Sequence, residues 1–176
     1  MRRRDEAAFR QLYRRHTPSL YLLARRLLGD SRGAEDAIQD TWLRAADRLG
    51  SFRWESSLRT WLCGIAVNRC REMLRGADGS RGTSPLESVE EVDPAAPRSP
   101  APEERVDLER AISRLPEGSR GVLVLHDIDG RTHGESATML GIDEGTSRSQ
   151  LFKARHALRG ILAAREPRDL KGVRDD

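Results

Sequence analysis

The sequence predicts an all-α protein made of two small helical domains joined by a flexible acidic linker, with a helix-turn-helix in the second domain. Apolar residues recur at three- and four-residue spacing in both parts of the chain, as on the buried faces of amphipathic helices. The alternation of apolar and polar residues that is typical of strands is nearly absent. The predicted boundaries are residues 1–75, 76–104 and 105–164, followed by a charged tail at 165–176.

The first domain is expected to hold four helices. The first is predicted to end at Thr17-Pro18, where the second begins, because proline is tolerated in the first turn of a helix. Gly29-Asp30 is predicted to end the second helix. The remaining segments are a third helix over 34–49, a loop over 50–57 and a long fourth helix that begins at Leu58.

The linker is predicted from its composition. Between residues 76 and 102, glycine, serine, proline and acids dominate, and only Leu86, Val89 and Val92 could pack, which is too little apolar surface to order a segment. Residues 76–111 carry a net charge of −5, whereas residues 1–75 carry +7. An acidic middle between basic ends fits a chain that contacts a polyanion at two places.

A helix-turn-helix is predicted over residues 132–158. Thr132 and Glu135 have the spacing of a capping box at the start of its first helix. Gly141 tolerates the left-handed conformation that ends a helix, and Asp143 can cap the next one. The motif places its second helix in the DNA major groove. The alternative is an ordinary helical hairpin with a solvated basic face.

Composition excludes several other classes. No apolar run is long enough to span a membrane and no signal peptide precedes the first helix, so a cytoplasmic protein without membrane insertion is expected. Cys63 and Cys70 lie two turns apart on one predicted helix, too far for a disulfide, and are expected to be buried thiols. Of the 31 basic residues 29 are arginine, which favours bidentate contacts with phosphate and guanine.

An enzyme is not expected. The densest metal-capable cluster is His126, Asp127, Asp129 and His133, but its spacing matches no standard set of metal ligands. No nucleophile–base pair and no glycine-rich phosphate loop is present elsewhere. We therefore predict neither a cofactor nor a metal site.

Two parts of the chain resemble bacterial sigma factors. Residues 34–49 (AEDAIQDTWLRAADRL) and 56–68 (SSLRTWLCGIAVN) are similar to the promoter-melting domain of that family, and residues 115–162 are similar to its second conserved domain. The short length, with nothing substantial between the two parts, resembles the extracytoplasmic-function (ECF) group.

The resemblance implies a partner and a docking surface. The first domain would bind the clamp helices of the largest RNA polymerase subunit and open the −10 element, and the flap of the second subunit would be a further contact. The matching positions on the third helix are Asp36, Gln39, Asp40 and Arg44. Without the resemblance, these residues would be interpreted as a solvated helix face.

The loop at 50–57 matches the segment that receives a flipped base of the non-template strand. Aromatic rings stack on unpaired bases and arginines follow phosphates. For Phe52 and Trp54, packing in the core is an equal alternative, and Trp61 lies on the apolar stripe. The residues implied in −10 binding are Phe52, Arg53, Trp54, Arg59, Asn68, Arg69, Arg71 and Arg75.

The second domain would read the −35 element. Ser136 and Ser147 stand where the family usually has aliphatic residues, and Gly121 and Gly134 lie inside predicted helices. This domain is therefore expected to be loosely packed and to depend on polymerase for order. The implied DNA contacts are Thr146, Arg148, Ser149, Gln150, Lys153 and Arg155.

Two further expectations concern partners. The linker acids Glu87, Glu90, Glu91 and Asp93 are predicted to enter the basic RNA path of polymerase by mimicking the charge of RNA. An anti-sigma factor is a usual partner of the ECF group. The rival function is a conventional helix-turn-helix regulator that binds an operator as a dimer without polymerase.

Overall fold

The computed structural model describes residues 3–78 and 102–163. Within these residues the chain forms helices and short connections and no strand, which confirms the all-α prediction. The helices are α1 (Arg3–Leu28), α2 (Ser31–Arg48), a 3-10 turn (Leu49–Ser51), α3 (Leu58–Asp78), α4 (Pro102–Ser113), α5 (Glu117–Leu123), a π-helical segment (Val124–Ile128), α6 (His133–Leu140) and α7 (Glu144–Ala163).

α1 is longer than predicted because it continues through Pro18. The expectation that one helix ends there and another begins is wrong. Proline has no N–H to donate to the carbonyl of Arg14, one turn earlier. Arg14 and Pro18 are both exposed, so that carbonyl can bond to water. Ser19 Oγ also donates to the His16 carbonyl at 3.0 Å. Leu20 and Leu23 beyond the proline are buried in the main core, and this packing outweighs the break.

α1, α2 and α3 pack together as the first helical group. Gly29 has a φ of +84° and ends α1, and Asp30 caps α2 by accepting a hydrogen bond from Gly33 N at 2.6 Å. The predicted break at this point is confirmed. Trp42 on α2 is buried, and its Nε1 donates to Thr17 Oγ1 at 3.0 Å, which ties α2 to α1.

α6 and α7 form the helix-turn-helix with the predicted caps. Thr132 N donates to Glu135 Oε2 at 2.9 Å and Glu135 N donates to Thr132 Oγ1 at 3.2 Å, so the capping box is confirmed. Gly141 has a φ of 62°. Asp143 Oδ1 accepts from Thr146 N at 2.7 Å and caps α7.

The glycine inside α5 has a packing reason. A Cβ at Gly121 would lie 3.1 Å from Leu140 Cδ2, closer than nine in ten real Cβ contacts. Glycine costs up to about 1 kcal/mol relative to alanine in a helix. Here the absence of a side chain permits the close approach of α5 and α6.

The two helical groups contact each other along one seam. α1 contacts α4 and α5, and α3 contacts α6. Buried apolar residues of both groups belong to one continuous core. Arg26 of α1 donates to Glu109 of α4, with an Nη2–Oε1 distance of 2.6 Å. The sequence predicted a flexible linker between the two domains and did not predict this seam.

α3 ends at Asp78 and α4 begins at Pro102, so helix extends into both ends of the range predicted as linker. The linker acids Glu87, Glu90, Glu91 and Asp93 lie outside the described residues. Among the residues that are described, no helix has the length and apolar character needed to cross a membrane.

The two cysteines are buried free thiols, as predicted. Burial raises the pKa of Cys63, and it raises the pKa of Cys70 to about 12. Because the thiolate is the reactive form, both side chains are poor nucleophiles near neutral pH.

Candidate nucleic-acid interface

The loop between α2 and α3 carries a stack of three aromatic rings. The Phe52 ring lies 4.9 Å from that of Trp54 and 5.0 Å from that of Trp61. Phe52 and Trp61 are half-buried and anchor the loop, whereas Trp54 is 74% exposed. Trp54 also has a φ of 59°, a strained conformation for a bulky residue that is typical of functional sites. Trp54 is therefore the ring available to an unpaired base.

The basic residues predicted for the same site differ in their surroundings. Arg53, Asn68 and Arg75 are exposed and open to a phosphate. Arg71 is half-buried, and its Nη1 donates to the Met139 carbonyl of α6 at 3.3 Å. Burial lowers the pKa of the Arg71 guanidinium. Arg71 thus faces the seam, which does not fit the predicted DNA contact.

Arg69 joins the predicted −10 residues to the predicted docking residues. Its Nε lies 2.6 Å from Asp40 Oδ2, although the two atoms are not aligned for a hydrogen bond. Arg44 forms a bidentate pair with Glu72 at 2.9 and 2.7 Å, and this hydrogen bonding lowers the pKa of Glu72. Arg69 Nη1 also lies 3.5 Å from Glu72 Oε2, so Asp40, Arg44 and Arg69 belong to one ion-pair network between α2 and α3.

The outer face of α2, which carries the predicted docking positions, also has an exposed apolar residue. Asp36 and Gln39 are exposed. Leu43, one turn after Gln39, is 61% exposed. Leu43 borders an apolar groove between α1 and α2 that Tyr13 and Trp42 also line. Leu43 was not predicted, although it lies off the stripe of buried residues and one turn after Gln39.

Most of the predicted −35 residues lie on the outer face of α7. Arg148, Ser149, Lys153 and Arg155 are exposed. Arg148 pairs with Glu144 one turn earlier, a solvated contact that DNA can replace. Thr146 is half-buried, and its backbone N–H and hydroxyl both donate to Asp143.

Gln150 has a different environment from its neighbours on α7. Its Oε1 accepts a hydrogen bond from Ser119 Oγ of α5 at 2.7 Å, and its amide lies against Gly118. The side chain is half-buried between α5 and α7. This orientation does not fit the predicted role in reading bases.

Phe152 was missed by the sequence analysis. It is 71% exposed on α7, between Arg148 and Arg155, and it lies off the buried stripe that contains Leu151 and Ala154. An exposed aromatic residue on a recognition helix can contact a thymine methyl group. The exposure of Phe152 was not predicted, because an apolar residue next to the buried stripe is usually interpreted as part of the core.

The interior of the helix-turn-helix contains the two serines. Ser136 and Ser147 are both completely buried. Ser147 Oγ lies 3.0 Å from His133 Nδ1, whereas Ser136 Oγ has no hydrogen-bond partner. An unpaired buried hydroxyl carries a desolvation penalty, so this interior is less stable than an aliphatic one.

The turn before α6 carries two acids that hold arginines. Asp127 forms a bidentate pair with Arg155 at 2.9 and 2.7 Å. Burial opposes ionisation of Asp127, but hydrogen bonds from Arg155 and His126 outweigh it and lower its pKa. Asp129 pairs with Arg59 of α3 and with Arg131. In the ranges 3–78 and 102–163, no group of three or more potential ligands is arranged to hold a metal ion.

Comparisons with known proteins agree with this arrangement. The family model for Sigma-70 region 2 matches residues 12–79, and that for Sigma-70, region 4 matches residues 105–158. The ECF RNA polymerase sigma factor SigM of Mycobacterium tuberculosis (strain H37Rv) is 40% identical over 158 residues, covering 90% of this chain and 79% of that protein. The RNA polymerase sigma-H factor of Pseudomonas aeruginosa is 30% identical over 172 residues, covering 90% and 88%.

Two solved structures share the fold. The sigma factor RpoE from Bartonella quintana, in complex with the anti-sigma factor NepR, matches with a TM-score of 0.68 and 26% identity over 90% of this chain and 99% of that one. CnrH in complex with the cytosolic domain of CnrY matches with a TM-score of 0.64 and 27% identity over 92% and 91%. The chain belongs to the ECF sigma factors of RNA polymerase, and a conventional regulator is not favoured.

Proposed function

We propose that this sigma factor binds core RNA polymerase through the outer face of α2, opens the −10 element with the loop at 52–57, and reads the −35 element with α7. The observation that carries the proposal is Trp54. A strained, exposed tryptophan supported by a second ring is suited to stacking on a base that has left the duplex.

The docking surface is proposed from the composition of the outer face of α2. Leu43 is an exposed apolar residue flanked by Asp36 and Gln39 on the same side of the helix. An apolar centre within a polar rim is the usual pattern of a protein–protein interface. The clamp helices of the largest subunit are the proposed partner of this face, and the flap of the second subunit is the proposed partner of the second domain.

Charge reversal at Asp36 tests the docking surface. Asp40 is less suitable because its reversal would also break the contact with Arg69. An opposed surface pair is worth only about 1 kcal/mol, but a like charge inside an interface costs several times more. We expect Asp36→Arg to weaken binding to core polymerase at least tenfold and Asp36→Asn to have a smaller effect. Wild-type affinity of Asp36→Arg for the core enzyme, with normal circular dichroism, would exclude this face.

Reconstituted transcription tests the function as a whole. Core polymerase with this chain should initiate at specific sites in a template taken from the chain's own genomic neighbourhood, and core enzyme alone should not. Absence of any specific transcript, together with tight binding of the isolated chain to a two-fold symmetric duplex, would favour the conventional regulator.

Further partners and the place of action are also part of the proposal. Two structural relatives were solved with anti-sigma factors or a cytosolic domain bound, which supports an anti-sigma partner here. We propose that the chain acts in the cytoplasm on promoter DNA, with no catalytic activity and no cofactor. The linker acids Glu87, Glu90, Glu91 and Asp93 stay a proposed RNA mimic on the strength of their charge.

A further inference from the structure

Asp127, in the π-helical segment, and Asp129, in the turn that follows it, pair with candidate DNA-binding arginines of α7 and α3. We propose that Asp129 occupies the place of a DNA phosphate on Arg59 and, together with Arg131, latches the two helical groups in the free protein. The latch must open before Arg59 reaches promoter DNA. This inference rests on the proposed function of Arg59 as a −10 contact.

The geometry of the latch is a chain of charged hydrogen bonds across the seam. Arg59 Nη2 of α3 donates to Asp129 Oδ1, and Arg131 Nε donates to Asp129 Oδ2 at 2.7 Å. Arg131 then reaches into the first helical group, where its Nη1 donates to Thr60 Oγ1 at 2.8 Å. One carboxylate and one arginine therefore connect α3 to the second group through two consecutive residues, Arg59 and Thr60.

Burial distinguishes the two arginines. The Arg131 side chain is 8% exposed and that of Asp129 is 12% exposed, whereas that of Arg59 is 52% exposed. Burial opposes the charge of Arg131, but hydrogen bonding to Asp129 outweighs it and raises the pKa of the guanidinium. Arg131 is thus the fixed part of the latch, and Arg59 is the part that an incoming phosphate can reach.

Asp127 and Asp129 act on both proposed DNA sites. Asp127 holds Arg155 of α7, and Asp129, two residues later, holds Arg59 of α3. A carboxylate and a phosphate offer arginine the same bidentate pairing of oxygens. DNA phosphates can therefore replace both acids, and replacing Asp129 also frees the seam.

The seam contains a cavity farther along α3 from the latch residues Arg59 and Thr60. This cavity of about 190 Å³ lies between the two helical groups, lined by residues that include Val67 and Cys70 of α3 and Leu140 of α6. Separation of the groups would therefore disrupt fewer close contacts than separation of a filled core. Since Cys70 lines the cavity and the charge of Arg131 acts on the Cys63 thiol, the two thiols report on opening.

Alkylation of the two cysteines in the full chain, without polymerase, tests the latch. We expect Thr60→Val to increase the alkylation rates of Cys63 and Cys70 several-fold at constant pH, with helical content unchanged. For Asp129→Asn the readout is a similar increase at Cys70, because the charge of Asp129 itself raises the pKa of the Cys63 thiol. Thr60→Val removes an acceptor of Arg131 without changing any charge. Asp47→Asn, at an exposed position on α2, removes the same charge away from the latch and should leave the rate unchanged. Wild-type rates at Cys70 in both Asp129→Asn and Thr60→Val would overturn the proposal.

Binding to a labelled single-stranded oligonucleotide tests the role of Arg59. Asp129→Asn should free Arg59 to make one additional phosphate contact. The plot of log affinity against log salt concentration should therefore be steeper by about 0.7 than in wild type. In an Arg59→Ala background the same substitution should cause no change. A gain that persists without Arg59 would show a general charge effect and contradict the latch.

These outcomes are separable from those of the proposed function. A chain that directs transcription with core polymerase but shows no change in thiol rate or salt dependence lacks the latch and remains a sigma factor. A chain whose thiols respond as expected but which directs no transcription has the latch without the proposed promoter contacts.

Discussion

Trp54 combines a strained backbone with an exposed side chain. A φ of 59° costs a bulky residue on the order of 1–3 kcal/mol, and such strain persists where the surrounding structure enforces it. The ring is held by Phe52, which in turn contacts Trp61 at the start of α3. The contact with Phe52 supports the exposed ring, as the proposed stacking on an unpaired base requires.

Replacing Trp54 should impair promoter opening more than promoter binding. Stacking of an aromatic residue on a base is worth about 1–3 kcal/mol, so Trp54→Ala should lower the open-complex equilibrium roughly 5- to 150-fold. Permanganate reactivity of unpaired thymines measures this equilibrium. Trp54→Phe should retain most of the opening. If Trp54→Ala opens the promoter as well as wild type does, the ring does not receive a base.

Arg148 and Gln150 provide a matched pair on α7. Arg148→Ala should reduce −35-dependent initiation by about 1–3 kcal/mol, the value of a good base contact. Gln150→Ala should leave base preference unchanged but lower the free energy of unfolding by about 1 kcal/mol, because it removes the hydrogen bond from Ser119. Initiation on a set of −35 variants and urea denaturation measure the two effects. A changed base preference in Gln150→Ala would restore the prediction made from the sequence.

The sequence predicted which residue types gather at the candidate sites better than it predicted where each side chain points. Arg53 and Arg148 are exposed as expected. Gln150 and Arg71, by contrast, face Ser119 and Met139, which lie far away in the chain. No local pattern contains that information, because the partner is chosen by how the helices pack.

At the scale of the elements, caps and turns were predictable because their chemistry is local. The capping box at Thr132 and the left-handed Gly141 need only residues within four positions of each other. The helix break at Pro18 was predicted by an equally local rule and was wrong, since packing of Leu20 and Leu23 outweighed it. Local rules therefore succeed where no tertiary contact opposes them.

The buried serines of the helix-turn-helix should respond in opposite directions to alanine. Ser136→Ala removes an unpaired buried hydroxyl and should raise the free energy of unfolding by about 1 kcal/mol. Ser147→Ala removes the partner of His133 and should lower it by a similar amount. Chemical denaturation of both variants measures the difference. Destabilisation by Ser136→Ala would mean that this hydroxyl does have a partner in solution.

The capping box should make stability depend on pH. Hydrogen bonds from the Thr132 backbone and hydroxyl lower the pKa of Glu135 below its unfolded value of 4.5. The stabilisation is thus present above that value and is lost as the pH falls through the lower, folded pKa. Glu135→Gln keeps the hydrogen bonding but cannot ionise. We expect wild type to be more stable than Glu135→Gln at pH 7 and the difference to shrink in acid. A constant difference across the titration would contradict this.

At the scale of the whole molecule, the two candidate DNA-binding surfaces, the loop at 52–57 and α7, lie on separate helical groups that share a seam. The sequence predicted both groups and their order, and the comparisons place both in one family. It did not predict the seam, because the contacts of Arg59 with Asp129 and of Arg131 with Thr60 span about 70 residues of chain. A composition that predicts a flexible connection carries no information about how the connected parts pack.

The most direct measurement is a gel-shift with and without core polymerase, on a promoter duplex and on the same promoter with the −10 region mismatched. In the proposed mechanism, Trp54 stacks only on unpaired bases, and polymerase fixes the spacing of the two helical groups and so raises the effective concentration of the second contact. The isolated chain should bind the duplex weakly and without sequence preference. With core enzyme it should bind specifically, and more tightly to the mismatched promoter. Tight, sequence-specific binding of the duplex by the chain alone, with a two-fold symmetric footprint, would contradict promoter recognition that depends on polymerase.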